Sequence, residues 1–125
     1  MGEKYSYYMA KLHETLALVY IDQYYYKTAN GHMQKAEEII LANSELKEKR
    51  YLKFKLKQAN FYKKAGFYLR ANQQFEELQA EEITDQRLEF RVLRDHARVQ
   101  AVLNRSDKSI ASFQKAEETL DSMLP

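Results

Sequence analysis

Cysteine is absent from this 125-residue sequence, proline occurs once, and glycine occurs three times. The lack of cysteine excludes disulfides and thiolate metal sites and fits a reducing compartment, so we expect a cytoplasmic protein. The longest apolar run covers only residues 16–21, whereas a membrane-spanning helix needs roughly 20 apolar residues. The first residues contain no apolar signal-peptide core either. We therefore expect neither a membrane span nor secretion.

Residues that interrupt helices are almost missing. The one proline is the last residue, and the helix-favouring residues Lys, Glu, Gln, Leu and Ala dominate the rest of the chain. A chain of this length can bury roughly two-thirds of its unfolded surface, which is enough for one domain with its own core. We expect a single all-α domain over residues 1–125. The net charge of +2 gives no electrostatic indication of nucleic-acid binding.

Motifs of catalytic chemistry are missing as well. The sequence has no glycine-rich phosphate loop and no serine in a strand-turn-helix elbow. His13, His32 and His96 are far apart in the sequence, so we expect packed or hydrogen-bonded histidines rather than a metal site. We therefore expect no enzymatic activity, no metal and no cofactor.

The stretch LALVYIDQYYYKTA, residues 16–29, allows more than one secondary structure. Its β-branched and aromatic residues would suit a buried strand. It could also belong to one long helix, from residue 4 to residue 23 or beyond, that ends at Gly31, or to two helices joined by a corner. An internal repeat favours the corner.

The repeat becomes visible when residues 17–36, 59–78 and 97–116 are aligned without gaps. Small residues align with small residues, and large apolar residues align with each other. The aligned sets are Ala17, Ala59 and Ala97; Tyr20, Tyr62 and Gln100; Tyr24, Gly66 and Asn104; Ala29, Ala71 and Ser109; Met33, Phe75 and Phe113; and Ala36, Leu78 and Ala116. Small residues in the first and fourth sets would let two helices approach closely, while the large ones fill the space between them. The pattern predicts three αα-hairpins.

The corner of each hairpin falls at Tyr24, Gly66 or Asn104. Glycine and asparagine tolerate a left-handed backbone, and Tyr24 has to adopt the same conformation in the first copy. We expect six helices, at about residues 4–23, 26–43, 46–64, 67–81, 85–103 and 106–123. They form hairpins at about residues 4–43, 46–81 and 85–123. Side-chain N-caps are expected before the third, fifth and sixth helices, at Ser44, Thr84 and Ser106.

Three segments, LALVYIDQYYYKTANGHMQKAEEI, QANFYKKAGFYLRANQQFEELQ and HARVQAVLNRSDKSIASFQKAEE, resemble the tetratricopeptide repeat. The middle segment fits that family's pattern best, with Ala59, Tyr62, Gly66, Ala71 and Phe75 in place. Successive copies are 42 and 38 residues apart, counted between their first alanines, whereas the family's usual period is about 34. The resemblance implies three stacked antiparallel αα-hairpins, a tetratricopeptide-like superhelix whose first helices line a concave groove.

A groove of this kind implies a non-enzymatic scaffold that binds a protein or peptide segment. The expected contact residues recur at helical spacing on the first helices of the second and third hairpins; they are Lys53, Leu56, Asn60, Lys63, Lys64, Arg91, Arg94 and Arg98. An asparagine amide can hold a peptide backbone, and the basic side chains favour an acidic partner. The alternative is a solvated charged helix face that binds nothing.

The family's carboxylate clamp for chaperone tails is not expected. Glu14, Leu18, Lys57 and Asp95 stand at positions where that clamp needs other residues, and only Arg91 resembles its counterpart. Another reading is the ligand-sensing part of a larger regulator, similar to the arrays of peptide-pheromone receptors of Gram-positive bacteria. Sequence-independent RNA or DNA binding is disfavoured, because most of the aromatic residues are expected at core-spaced positions rather than as stacking platforms.

The last predicted helix keeps an apolar outer face, with Leu120, Met123 and Leu124 near its end. A helical array normally finishes with a polar outer face. We therefore expect either that two copies associate through this end or that the chain is part of a longer protein.

Overall fold

The computed structural model describes residues 2–124, which form six α-helices and no strand. The helices are α1 (Glu3–Asp22), α2 (Tyr26–Ala42), α3 (Ser44–Lys64), α4 (Tyr68–Gln79), α5 (Gln86–Val102) and α6 (Ser106–Met123). The all-α prediction is confirmed, and every helix end lies within about two residues of its predicted position. None of these helices combines the length and the apolarity that crossing a bilayer requires.

A left-handed residue ends the first helix of each hairpin. The backbone φ angles are 66° at Tyr24, 88° at Gly66 and 58° at Asn104, and these are the three aligned corner positions of the repeat. The stretch at residues 16–29 is therefore a helix, a corner and a second helix. The alternative of one long helix that ends at Gly31 is wrong, because Gly31 lies inside α2.

The same backbone hydrogen bonds close all three corners. The amide of the residue after each corner donates to a carbonyl five residues earlier: Tyr25 to Tyr20 at 3.0 Å, Phe67 to Tyr62 at 2.9 Å, and Arg105 to Gln100 at 2.9 Å. The corner residue itself donates to a carbonyl three residues earlier. This pair of bonds is the Schellman arrangement, which satisfies carbonyls that the end of a helix leaves free. The repeat in the sequence is thus also a repeat in backbone geometry.

The small residues of the repeat lie at the closest contacts between helices. Ala17, Ala59 and Ala97 are each 0% exposed. In the third hairpin the Ser109 hydroxyl donates to the backbone carbonyl of Ala97 at 2.8 Å, so the backbones of α5 and α6 approach closely at the first and fourth sets. A larger side chain in either place would push the two helices apart.

The chain divides into two compact units, Met1–Phe54 and Lys55–Pro125, with the boundary inside α3. In the first unit α1 packs against α2. In the second unit α4 packs against α5, and α5 packs against α6. Neighbouring helices therefore pair in the manner of stacked hairpins. The expectation of a single domain stays a prediction.

The predicted helix caps need correction. Ser44 is the first residue of α3, and the Asn43 side chain accepts from the Leu46 amide at 3.0 Å in its place. Asp85 rather than Thr84 caps α5, because its carboxylate accepts from the amides of Arg87 and Leu88. Ser106 lies inside α6, whose N-cap position is occupied by Arg105 without a side-chain bond. In the first two cases a neighbouring Asn or Asp reaches the free amides more directly.

Two glycines should respond oppositely to the same substitution. Gly31 lies in a helix, and no atom outside its immediate surroundings lies within 4 Å of where a Cβ would be. We expect Gly31→Ala to raise the free energy of unfolding by about 1 kcal/mol, because alanine is the better helix former. Gly66 has equally open surroundings but a φ of 88°. We expect Gly66→Ala to lower the same quantity by about 1 kcal/mol, since alanine is strained in that conformation.

Urea denaturation followed by circular dichroism measures both values, and each variant serves as the control for the other. If both substitutions shifted the free energy of unfolding in the same direction, the left-handed backbone at Gly66 would not determine the effect of the substitution there.

Candidate functional site

A buried carboxylate joins the first helices of the second and third hairpins. Asp95 of α5 is 4% exposed. Its Oδ2 accepts from Asn60 Nδ2 of α3 at 2.9 Å, while its Oδ1 accepts from Arg94 Nε at 3.0 Å and lies 3.6 Å from Arg98 Nη1. We call these four residues the Asp95 cluster. All four lie in the second compact unit.

The helix geometry explains why these side chains meet. Arg98 follows Asp95 by three residues, so both lie on the same side of α5. Asn60 lies near the C-terminal end of α3, four residues before that helix ends at Lys64. An ionised carboxylate without partners would be costly to bury, whereas here both oxygens of Asp95 have charged or amide donors. The Asp95 carboxylate is therefore satisfied in a polar contact between two helices.

Some hydrogen-bonding capacity in the cluster remains unused. Asn60 Oδ1 is buried and has no hydrogen-bond partner among the described residues. A guanidinium carries five N–H donors, and Asp95 engages one nitrogen each from Arg94 and Arg98. The Arg94 guanidinium also lies 5.6 Å from the centre of the Phe90 ring, which holds it in place by a cation–π contact. The arrangement places a buried, unused acceptor beside two guanidinium groups whose donors are only partly engaged.

The other predicted contact residues divide into three groups. Leu56 is 1% exposed and belongs to the core, so it cannot contact a ligand at the surface. Lys63 is half-buried, while Lys64 and Arg91 are exposed, and all three lie on the same helices as the cluster. Lys53 is exposed and belongs to the first compact unit.

The central role of Asp95 was not predicted from the sequence, where this residue is only a departure from a family pattern. The signal that could have found it is its spacing, because an acid placed four residues after Arg91 and three before Arg98 lies on the same face as both arginines. A single acid among three bases of one helix face indicates an ion-pair network.

His96 forms a second polar network in the same unit. It is 3% exposed and stacks on Phe75 with ring centres 5.5 Å apart. Its Nε2 lies 2.8 Å from Asn72 Oδ1, and its Nδ1 contacts Gln79 Oε1. Asn72 Nδ2 donates to Glu76 Oε1, which fixes the Asn72 amide with its oxygen towards the ring. Both ring nitrogens therefore face amide oxygens, and a neutral imidazole that donates from Nε2 to Asn72 requires the Gln79 amide to turn its NH2 group towards Nδ1.

His13 and His32 are brought together by the packing of α1 on α2. Their Nδ1 atoms lie 2.9 Å apart, and the rings are stacked with centres 5.2 Å apart. The ring of Tyr20 stacks on the ring of His32, with ring centres 5.5 Å apart. The expectation of packed or hydrogen-bonded histidines is confirmed for all three. Residues 2–124 contain no group of three or more His, Asp or Glu side chains suited to hold a metal ion.

Comparison with protein-family models, curated proteins and solved structures gives no match to this chain.

The Asp95 cluster should contribute to stability. We expect Asp95→Ala to lower the free energy of unfolding by about 1.5–3 kcal/mol, because hydrogen bonds to a charged group are lost and the Asn60 amide is left without its acceptor. Glu82→Ala is the matched control, since Glu82 is an exposed acid outside the helices and should change stability by less than about 0.5 kcal/mol. Equal stability of the two variants in urea would show that the cluster is not a structural contact.

The histidines should make stability depend on pH. Burial lowers the pKa of His96 from 6.5, with Arg105 and Lys108 acting in the same direction and Glu76 opposing them. Burial, His32 and Lys35 likewise lower the pKa of His13. Between the unfolded pKa near 6.5 and the lower folded pKa values, the unfolded chain binds more protons. The free energy of unfolding that depends on these two histidines is therefore fully present above pH 6.5. It decreases as the pH falls from 6.5 towards their lower folded pKa values.

The measurement is the urea midpoint at a series of pH values below 7. We expect the decline in stability to be shallower in His96→Gln than in the natural sequence, whatever the absolute stability of the variant. An unchanged slope would mean that His96 takes up its proton equally in the folded and unfolded states.

Proposed function

We propose that this chain is a non-enzymatic module that binds a peptide or an extended segment of a partner protein. The contact surface is the Asp95 cluster and the basic residues around it on α3 and α5. One observation carries the proposal: a buried, unused amide oxygen on Asn60 lies in the same cluster as two arginines whose donors are only partly engaged. Such a site offers an acceptor and several cationic donors at fixed positions.

The chemistry of the cluster suits an acidic peptide. Once the side chains that cover it move aside, Asn60 Oδ1 can accept a backbone N–H from an extended segment, which gives affinity without regard to side chains. The remaining guanidinium donors of Arg94 and Arg98 can bind an acidic side chain or a terminal carboxylate, and planar guanidinium groups bind carboxylates in pairs of parallel bonds. Arg91, Lys63 and Lys64 would extend the positive surface on either side.

Asp95 gives the site a definite energetic character. A ligand carboxylate has to share the arginines with Asp95, so each new ion pair is gained partly at the expense of an existing one. The compensating gain is preorganisation of Arg94, because Asp95 and the Phe90 ring already hold its guanidinium, which then loses little freedom when the ligand arrives. We therefore propose binding of moderate affinity, selective for acidic sequences.

The resemblance to tetratricopeptide repeats supports the same function. The aligned corners, the buried alanine positions and the contact between α3 and α5 agree with first helices that lie side by side, and in that family the first helices carry the peptide site. A scaffold role in the cytoplasm would follow. A sensing module of a larger regulator would use the same site chemistry, with a peptide as its signal.

Binding can be tested with fluorescent decapeptides that share a Gly-Ser background and carry three Asp, three Lys or no charged residues. We expect the acidic peptide to bind the natural chain most tightly. Arg94→Ala should lower the affinity for that peptide by about tenfold or more, equivalent to about 1.4 kcal/mol, because one charge-assisted pair is lost. Asn60→Ala should weaken the charged and uncharged peptides by a similar factor, since it removes a backbone contact. Fluorescence anisotropy measures these affinities.

Lys115→Ala is the control, because it removes one exposed positive charge from α6, away from the cluster. If this variant weakened the acidic peptide as much as Arg94→Ala, the attraction would be a general charge effect. If neither Asn60→Ala nor Arg94→Ala changed any affinity, the proposed site would be wrong.

A further inference from the structure

The repeat identifies residues of α6 that are exposed although their counterparts are buried. Phe113 is 42% exposed, whereas the aligned Met33 of α2 and Phe75 of α4 are 1% and 0% exposed. Leu120 is 45% exposed, while its counterpart Ile40 in α2 is 2% exposed. Equivalent positions in equivalent hairpins should have equivalent surroundings, so α6 lacks a neighbour that α2 and α4 possess.

A matching deficit lies on α1. Leu12 is 52% exposed, but its aligned residues Phe54 of α3 and Val92 of α5 are each 1% exposed. Val19 shows the same contrast, with 48% exposure against 1% for the aligned Phe61 and 0% for the aligned Val99. Tyr5 and Tyr8 are also exposed, and together with Leu12 and Val19 they form an apolar stripe at helical spacing along α1.

The chain itself shows which element covers such faces. The second helix of one hairpin packs against the first helix of the next. In the first unit, Tyr51 of α3 donates its hydroxyl hydrogen to Glu37 of α2 at 3.2 Å. In the second unit, Phe75 of α4 stacks on His96 of α5. Within residues 2–124, α6 is a second helix with no following first helix, and α1 is a first helix with no preceding second helix.

We propose that the exposed face of α6 binds the exposed face of α1 in a second copy of this chain. The two faces are complementary halves of the contact that the chain already makes between its own hairpins. By the register of Phe75 and His96, Phe113 of one copy would lie against Leu16 of the other. The two helices would run antiparallel, as consecutive helices of the hairpins do.

The charges beside the two stripes support this pairing. The C-terminal half of α6 carries the exposed acids Glu117, Glu118 and Asp121 and one base, Lys115. The N-terminal half of α1 carries Lys4 and Lys11, and its one acid, Glu3, pairs with Lys49. An antiparallel arrangement brings these two halves together, so opposite charges lie along the edge of the apolar contact. A parallel contact of one α6 with another α6 would instead place the acidic C-terminal halves near one another.

The proposed contact is heterologous, because each copy uses two different surfaces. Each copy would therefore still offer one free α6 face and one free α1 face after the first contact forms. Association of this kind continues head to tail unless the geometry closes a ring. The average mass in solution should accordingly rise with concentration rather than stop at a dimer.

Two variants test the proposal, and each of them has one of the two faces blocked. Leu12→Lys introduces a charge into the α1 stripe, and Phe113→Glu introduces one into the α6 stripe. Both positions are about half exposed, so the folded structure should survive, which circular dichroism checks. Light scattering on a sizing column, from about 10 µM to about 1 mM, should show growth of the natural chain and a monomer for each variant alone. An equimolar mixture of the two variants should form a one-to-one dimer and nothing larger, because only one intact pair of faces remains.

Every other outcome overturns the proposal. A monomeric natural chain at the highest concentration would mean that neither face binds a second copy. A dimer of Leu12→Lys alone would indicate contact between two α6 faces, and a dimer of Phe113→Glu alone would indicate contact between two α1 faces. Asn60→Ala should assemble like the natural chain, which separates this inference from the proposed peptide site.

Discussion

The fold depends on a reversal of the backbone at one left-handed residue in each hairpin. The Schellman bonds at these corners satisfy carbonyl groups at the end of one helix and set the direction of the next. Because the direction is fixed, the alanine positions of the two helices meet and allow the close approach seen at Ala97 and Ser109. The same reversal occurs with tyrosine, glycine and asparagine, so the packing of the hairpin dictates the conformation more strongly than the propensity of the corner residue does.

Alignment of the repeat within the sequence was enough to predict the helices and the corners. It succeeded at Tyr24, where local preference alone argues against a left-handed residue, because the information came from the other two copies. Helix caps were predicted less well, since the alignment does not tell which of two neighbouring polar residues faces the free amides. Leu56 shows the limit at the site: helical spacing put it on the ligand-facing side, yet contacts with other helices bury it completely.

The Asp95 cluster illustrates what sequence reasoning cannot supply. Asn60 and Arg94 were expected on one surface from their helical spacing, but the hydrogen bond that joins their two helices depends on the distance between α3 and α5. Asp95 was the residue that made the sequence look unlike a known binding pattern. In the structure it is the residue that holds the other polar groups in place, so a departure from a pattern marked the most ordered part of the site.

The boundary between the two compact units lies between Phe54 and Lys55, in the interior of α3 and away from any corner. The residues of α3 are therefore divided between the two units. Cleavage of the chain at this boundary would create two new helix ends, each with as many as four backbone groups without hydrogen-bond partners. Fragments cut between whole helices should therefore keep their fold better than fragments cut at the boundary between the compact units. The repeat of the sequence is divided at the corners Tyr24, Gly66 and Asn104, whereas the compact units are divided between Phe54 and Lys55.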